Sequence, residues 1–262
     1  MNISPRRPIA VLKIGGSVLT DLAAYPEAAR FVAACRAEQD GARLVVVVSA
    51  EQGQTTLLAE TAKALTATPD RTALDLLWST GELRSVALLV LALHALGIRA
   101  AGANVHETGV AASDIEGSTH APRVRPLRLL HLLASHEVVV VPGFLARGDG
   151  DRIVSLGRGG SDLTAVLLAD ALDASTCELV KDVDGYYSSD PDVDPDGHHL
   201  AAIDFDRALT MADEGCGLVQ RAALVRARER GLPLVVRSIA GQRRTIVGPK
   251  DIDALLPREA PV

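Results

Sequence analysis

The segment EVVVVPGFLARGDGDRIVSLGRGGSDLTAVLLADALDASTCELVKDVDGYYSSDP, Glu137–Pro191, holds the pattern on which the fold depends. Two apolar, β-branched runs inside it, Val138–Val141 and Cys177–Val180, have the length and composition of buried strands. Between them GRGGSD (Gly157–Asp162) opens onto a helical pattern over Leu163–Leu172. Glycines at 157, 159 and 160 remove the Cβ atoms that would block a ligand or a left-handed turn. Ser161 is the expected N-cap of that helix, whose first N–H groups are available to an anion. Arg158, within the glycine run, suits a two-pronged contact with a carboxylate or phosphate. A second polar turn, Asp182–Pro191, leaves the next strand. One turn suits a small acid and the other a nucleotide, which together imply a transferase cleft.

Working outward, Ile9–Ile14 (IAVLKI) reads as a buried strand ending in Gly15-Gly16-Ser17. Lys13 on that strand can project toward phosphate oxygens while the glycine amides approach them; a plain βα turn with a solvated lysine is the other reading. The motif is neither G-x-x-x-x-G-K-[ST] nor G-x-G-x-x-G. A helix is expected over Glu27–Gln39. Arg43–Val48 is a second β-branched strand, and it runs into a polar turn carrying Ser49, Gly53 and Thr55. Ligands in open α/β sheets bind beyond such strand ends, although a helix start capped by Thr55 would also account for the turn. Asp75–Leu96 is helical in pattern, with a break expected at Ser79-Thr80-Gly81-Glu82, where a glycine costs roughly 1 kcal/mol against alanine. That glycine can admit a neighbour to the backbone beside Glu82; a solvated Glu82 is the alternative unless a cationic group meets it.

Ala101–Pro126 reads as a hairpin or lid. The histidines in or near it (His106, His120, His131, His136) lack metal-site spacing and are read as surface or structural. Helices follow over Phe205–Glu214 and Leu218–Arg230, then a last buried strand at Pro233–Val236 and an edge strand at Thr245–Val247. Strands alternating with helices throughout imply an α/β protein, a three-layer αβα sandwich with a mostly parallel central sheet.

Composition narrows the function. A formal charge of −6, with no block of Lys or Arg, excludes a nucleic-acid footprint. Apolar runs near Val86–Leu93 read as too short and interrupted to cross a bilayer, and the first residues do not form a signal peptide, so a cytoplasmic protein without a membrane partner is expected. Cys35, Cys177 and Cys216 are scattered and odd in number, as in reduced thiols. Of 27 Lys plus Arg only four are Lys, and two of these, Lys13 and Lys181, end predicted buried strands. Lysine offers a compact point charge where arginine offers a flat fork.

Six motifs occur in order along the chain: KIGGS (Lys13–Ser17), VVVVSAEQGQTTLL (Val45–Leu58), STGELRS (Ser79–Ser85), PGF (Pro142–Phe144), SLGRGGSDLTAVLLADAL (Ser155–Leu172) and VKDVDGYYSSDP (Val180–Pro191). In this set the chain resembles the amino-acid kinase superfamily, and within it most the catalytic domain of aspartokinases. The resemblance implies a single amino-acid kinase domain, with an acceptor-binding lobe over about residues 1–172 and a nucleotide-binding lobe over about residues 173–262. It implies transfer of the γ-phosphoryl of ATP, accompanied by Mg²⁺, to a carboxylate of a small amino acid, foremost the β-carboxylate of L-aspartate. By position, Lys13 faces the transferred phosphoryl and Asp162 orients that lysine. Gly15, Gly16 and Ser17 form the phosphate loop, with Ser49 and Gly53 on a facing turn. Thr55, Glu82, Arg158 and Ser161 hold the acceptor, and Asp182, Tyr187 and Asp190 belong to the nucleotide turn. A homodimer is the assembly implied.

The chain departs from that pattern in three places. Gly217 stands where a nucleotide-side lysine belongs, Asp192 where an arginine follows Asp-Pro, and Lys181 where a threonine precedes Asp182. Lys181 is therefore expected to take over phosphate neutralisation. The ACT regulatory modules that follow aspartokinase catalytic domains have no counterpart in these 262 residues, so feedback control of that kind is not expected. A kinase for another small acid on the same fold, and a non-catalytic amino-acid-binding protein with a degenerate nucleotide site, are the alternative readings.

Overall fold

A computed structural model describes residues 7–113, 122–157, 159–189 and 196–252. Its strands are β1 (Ile9–Ile14), β2 (Arg43–Val48), β3 (Ala100–Gly102), β4 (Val110–Ala111), β5 (Arg123–Val124), β6 (Val138–Pro142) and β7 (Leu145–Arg147). They continue with β8 (Ile153–Ser155), β9 (Cys177–Lys181), β10 (Tyr186–Tyr187), β11 (His199–Leu200), β12 (Ala202–Asp204), β13 (Leu234–Ser238) and β14 (Arg244–Gly248). The helices are α1 (Ala24–Glu38), α2 (Gln54–Leu65), α3 (Arg71–Ala95), α4 (Leu127–Ser135), α5 (Gly160–Ala171), α6 (Phe205–Asp213) and α7 (Arg221–Arg230).

Eight strands form the central sheet in the order β12-β14-β13-β9-β1-β2-β6-β3, and every neighbouring pair except β13–β14 is parallel. The β-branched runs explain its position: a parallel sheet is covered on both faces, so its strands are apolar at every residue. Side chains alternate across it. Val11, Val45, Val47, Val139, Val141 and Leu179 enter one core with α4, α5, α6 and α7. Leu12, Ile14, Val46, Val48, Val140 and Val180 enter the other with α1 and α3. Three layers result, as the alternation of elements implies. The excursion after β3 joins β7 and β8 in a separate small sheet of order β5-β4-β7-β8.

Register places the carboxyl ends of four strands together. Lys13 lies opposite Val47 and Leu179, and Val48 opposite Pro142, so β1, β2, β6 and β9 finish at one edge. Ligands collect there in open α/β sheets.

Several expectations are corrected. Helix α3 is one unbroken helix of 25 residues, with no break at 79–82. Its length, and the mean hydropathy of 1.5 over an 18-residue window within it, meet those of a membrane span, contrary to the interrupted reading. In the fold it buries Val86, Leu89 and Leu93 in a core and Asp75, Ser79 and Glu82 among other protein groups. Gly81 sits on the face turned to the β2–α2 turn, where an added Cβ would lie 3.2 Å from Ala50 Cβ and Gln54 Cγ; packing outweighs its helix propensity. Ser161 is not the N-cap of α5, and Thr55 does not cap α2. Gly159 (φ 74) and Gly53 (φ 77) take those places in the left-handed region that glycine tolerates, leaving both polar residues inside the first turn. Strand β14 is not an edge, because the three-residue β12 pairs beyond it.

Leu89 is fully buried where α3 meets the sheet. Leu89→Ala is expected to cost about 2–5 kcal/mol of unfolding free energy through lost burial and a residual cavity, read from urea denaturation.

Candidate active site

Strand β1 delivers Lys13 to the sheet edge almost completely buried, at 6% exposure. The following turn is pressed tightly against its neighbours. A Cβ on Gly16 would lie 2.6 Å from the carbonyl oxygen of Ala50, and one on Gly15 would lie 3.2 Å from Lys13 Nζ. Backbone bonds tie the turn across the sheet: Gly15 N–H donates to Val180 O at 3.2 Å, and Ser49 N–H to Ile14 O at 3.2 Å.

Beneath Lys13 lies Asp162, in the first turn of α5 and 3% exposed. Lys13 Nζ stands 2.9 Å from Asp162 Oδ1, while Lys181 Nζ donates to Oδ1 at 3.0 Å and Oδ2 at 2.9 Å. The backbone N–H of Gln220 adds a contact to Oδ2 at 3.1 Å. Burial pushes the Asp162 carboxyl up, but the charges of Lys13 and Lys181 outweigh it and hold the pKa at about 2. Burial, then the neighbouring Lys13 charge, draw Lys181 down to about 8 against the pull of Asp162. Two ammonium groups thus share one carboxylate, leaving a buried surplus of positive charge.

A cleft of about 720 Å³ opens over this cluster, and its walls carry Lys13, Ser17, Ser49, Thr55, Glu82 and Ser161. Gly16 and Gly53 also line it, as do Gly157 and Gly159 on either side of position 158. Ser49 Oγ donates to Ser161 Oγ at 3.0 Å, joining the β2 end to α5. Gly143, after β6, lets α5 come this near, since a Cβ there would sit 2.6 Å from Ser161 Cβ. Glu82 is 3% exposed, and its Oε2 has no hydrogen-bond partner. Burial raises its pKa to about 8, with the nearby amides of Ala50 and Gly143 and the charge of Lys13 pulling the other way. A buried carboxyl group that lines a cleft and has one oxygen without a partner suits a ligand cation.

A second cavity of about 680 Å³ lies on the other side of the Asp182 turn, lined by Tyr187, Gly185, Arg207, Met211 and Cys216 among others. Tyr187 OH donates to Asp184 Oδ1 at 2.6 Å. Ser17, from the first cleft, donates to Asp182 Oδ1 at 3.2 Å and so links the two regions.

A match to the amino acid kinase family spans residues 8–238. The chain belongs to that family. An aspartokinase of Thermus thermophilus is 38% identical over 230 residues, 88% of this chain and 56% of its own length. The crystal structure of aspartate kinase from Synechocystis superposes with a TM-score of 0.80 at 36% identity, over 92% of this chain and 40% of that one. Aspartokinase III of E. coli in complex with aspartate and ADP superposes with a TM-score of 0.76 at 27% identity, over 93% of this chain and 65% of that one. The chain spans little more than half the length of the curated relatives it matches. Its αβα sandwich is the amino-acid kinase fold.

In this member of the amino acid kinase family, Lys13, Gly15, Gly16, Ser17, Ser49, Gly53, Thr55, Glu82, Ser161, Asp162 and Lys181 gather at one edge of the sheet, with Asp182 bonded to Ser17. Tyr187 belongs to the second cavity rather than the cleft. Arg158, Asp190 and Asp192 lie outside the described residues. Position 217 is exposed, with nothing within 4 Å of an added Cβ, while Lys181 occupies the Asp162 cluster. Among the cleft residues that sequence reading did not single out are Arg71, Trp78 and Phe144. Trp78 and Phe144 meet edge to face at 5.7 Å, and Arg71 pairs with Asp75 at 3.0 Å while its guanidinium stands 5.6 Å from the Trp78 ring. Trp78 directly precedes STGELRS, and Phe144 is the last residue of PGF, so adjacency to known motifs was the available signal.

Between its ordinary value of 4.5 and about 8, Glu82 keeps a proton in the folded state that the unfolded chain releases. Rising pH therefore costs the fold stability across that window. Glu82→Gln should raise the midpoint of thermal unfolding of the ligand-free protein, with a larger gain at pH 8 than at pH 5, as calorimetry can check.

Proposed function

We propose that this chain transfers the γ-phosphoryl of ATP to the side-chain carboxylate of L-aspartate or a close analogue, producing an acyl phosphate. The observation that carries the reading is the pairing of Lys13 and Lys181 on Asp162 at the floor of a cleft whose wall includes Glu82, a buried carboxyl group with one unpartnered oxygen. Relatives named aspartokinase, and a similar structure in complex with aspartate and ADP, support the choice of substrates.

An acceptor carboxylate with an ordinary pKa near 3.9 is ionised at neutral pH, so the reaction needs no general base. What remains is alignment and neutralisation of charge. Glu82 takes the acceptor ammonium, which turns the opposite end of the amino acid toward Lys13. Arg158 is assigned the α-carboxylate, and Ser49, Thr55 and Ser161 complete the acceptor wall. Lys13 and Lys181 offset the charge that builds on the transferring phosphoryl, and Asp162 keeps both ammonium groups in place. Gly15, Gly16 and Ser17 bring backbone N–H groups toward the phosphates. Asp182, Tyr187 and Asp190 are assigned to the nucleotide, which places the acceptor side within about residues 1–172 and the nucleotide side within about residues 173–262. Mg²⁺ is assigned to the nucleotide as it enters, since such ions keep several waters and lean on substrate phosphates. Among the described residues no group of three or more metal-ligating side chains converges. A homodimer is also proposed; exposed Leu76 and Leu91 on α3 are compatible with a covered face.

Trapping the product with hydroxylamine in the presence of ATP, Mg²⁺ and aspartate is expected to yield the aspartyl hydroxamate; its absence at any aspartate concentration would reject the reading. Glu82→Gln should raise the KM for aspartate at least tenfold. Lys181→Ala should lower turnover by about 10²–10³, the scale for one lost transition-state donor. Because Lys181 carries its proton only below about 8, kcat/KM should fall as pH rises through that value. The variant should lack that limb, and a limb that survives in it would have another source.

A further inference from the structure

At the amino ends of the strands, opposite the cleft, the chain gathers positive charge that its overall balance of −6 does not foreshadow. Arg7 precedes β1, Arg43 opens β2, Arg99 precedes β3, and Arg36 lies in the last turn of α1. The parallel register (Ile9 opposite Arg43, Leu44 opposite Val138, Ala100 opposite Val138) brings these starts side by side. Together with Ser135, His136 and Glu137 they line a pocket of about 320 Å³.

Glu137 is the one acidic residue in that lining, and it is already committed. Its Oε1 lies 2.6 Å from Arg36 Nη2, and its Oε2 accepts from the Arg99 backbone N–H at 3.1 Å and from Arg99 Nε at 3.4 Å. Among the described residues neither Arg7 nor Arg43 has a carboxylate partner; Arg43 reaches only the Ala134 carbonyl, at 3.5 Å. Arg7 Nη1 and Arg36 Nη2 both border Gly41, at 3.8 and 4.0 Å from the position a Cβ there would take, and so stand no farther apart than those two distances combined. Arg36 Nε is buried without a partner. Like charges held this close favour an anion between them.

We propose that this pocket binds a small phosphate-bearing anion at a site separate from the catalytic cleft. Guanidinium forks match phosphate oxygens in pairs, and two such forks have no carboxylate partner among the described residues. At roughly 30 Å³ per water the pocket holds the volume of about ten waters, enough for a diphosphate or the phosphate end of a metabolite. Strands β1 and β2, six residues each, separate it from the cleft by roughly 20 Å at about 3.3 Å per residue, so the nucleotide in the cleft cannot reach it. The inference stands apart from the proposed reaction, since it concerns binding at the other end of the sheet.

Titration calorimetry on the full chain tests it, with inorganic phosphate, diphosphate and a phosphorylated three-carbon acid at an ionic strength held constant with chloride. One saturable event tighter than about 1 mM is expected for at least one of these probes. The preferred probe distinguishes free phosphate from a phosphate ester. Arg7→Gln with Arg43→Gln should weaken that event at least tenfold and leave ATP turnover unchanged, because neither residue pairs with Glu137. Arg7→Gln alone, an exposed change ahead of β1, should weaken it by a smaller factor and serves if the double variant does not fold. Affinity unchanged within twofold in these variants, equal binding of citrate, or no saturable event would overturn the proposal.

Discussion

A single buried carboxylate between two ammonium groups is the interaction on which this structure turns. Asp162 sits where burial alone would favour its neutral form, yet Lys13 and Lys181 hold it ionised. Three charges in so small a space are tolerable because each is satisfied by another, and removing one partner of such a set costs about 3–5 kcal/mol. The arrangement leaves one positive charge in excess. An incoming phosphate would find that charge already positioned and desolvated, so little reorganisation is needed when it arrives.

Close backbone contacts make the cluster possible. Gly16 meets the Ala50 carbonyl, Gly143 meets Ser161, and Gly81 lets the β2–α2 turn lie on α3. Each contact brings a cleft side chain inward: Lys13 through the first, Ser161 through the second and Glu82 through the third. A methyl group at Gly16 or Gly143 would meet atoms 2.6 Å away, so the cleft and the core around it are one packed object. The unpaired Glu82 oxygen is one exception within that packing, and a group buried at a cost to stability fits a role in binding.

The same sheet has a contrasting end. At the carboxyl edge, lysines converge on an aspartate; at the amino edge, arginines converge on Glu137. Both assemblies draw on parallel register, which stacks the starts of β1, β2, β3 and β6 at one edge and the ends of β1, β2, β6 and β9 at the other. An antiparallel sheet of the same residues would have scattered them.

Much was legible in the sequence for local reasons. β-branched runs declared the strands, and glycines beside Lys13 and before Asp162 declared the two turns, because backbone freedom and burial are properties of short segments. What only the tertiary structure decided is where partners come from. Propensity places a break at Gly81 and caps at Ser161 and Thr55, but packing on Ala50 and the left-handed Gly159 and Gly53 override it. No local pattern announces β12, three residues held by its pairing with β14. Lys181 reads from the chain as a displaced lysine; that it grips the same carboxylate as Lys13, 168 positions earlier, is decided by the pairing of β1 with β9. Sequence determines the strands and their chemistry because those depend on neighbours along the chain, while charge partnership depends on neighbours across the sheet.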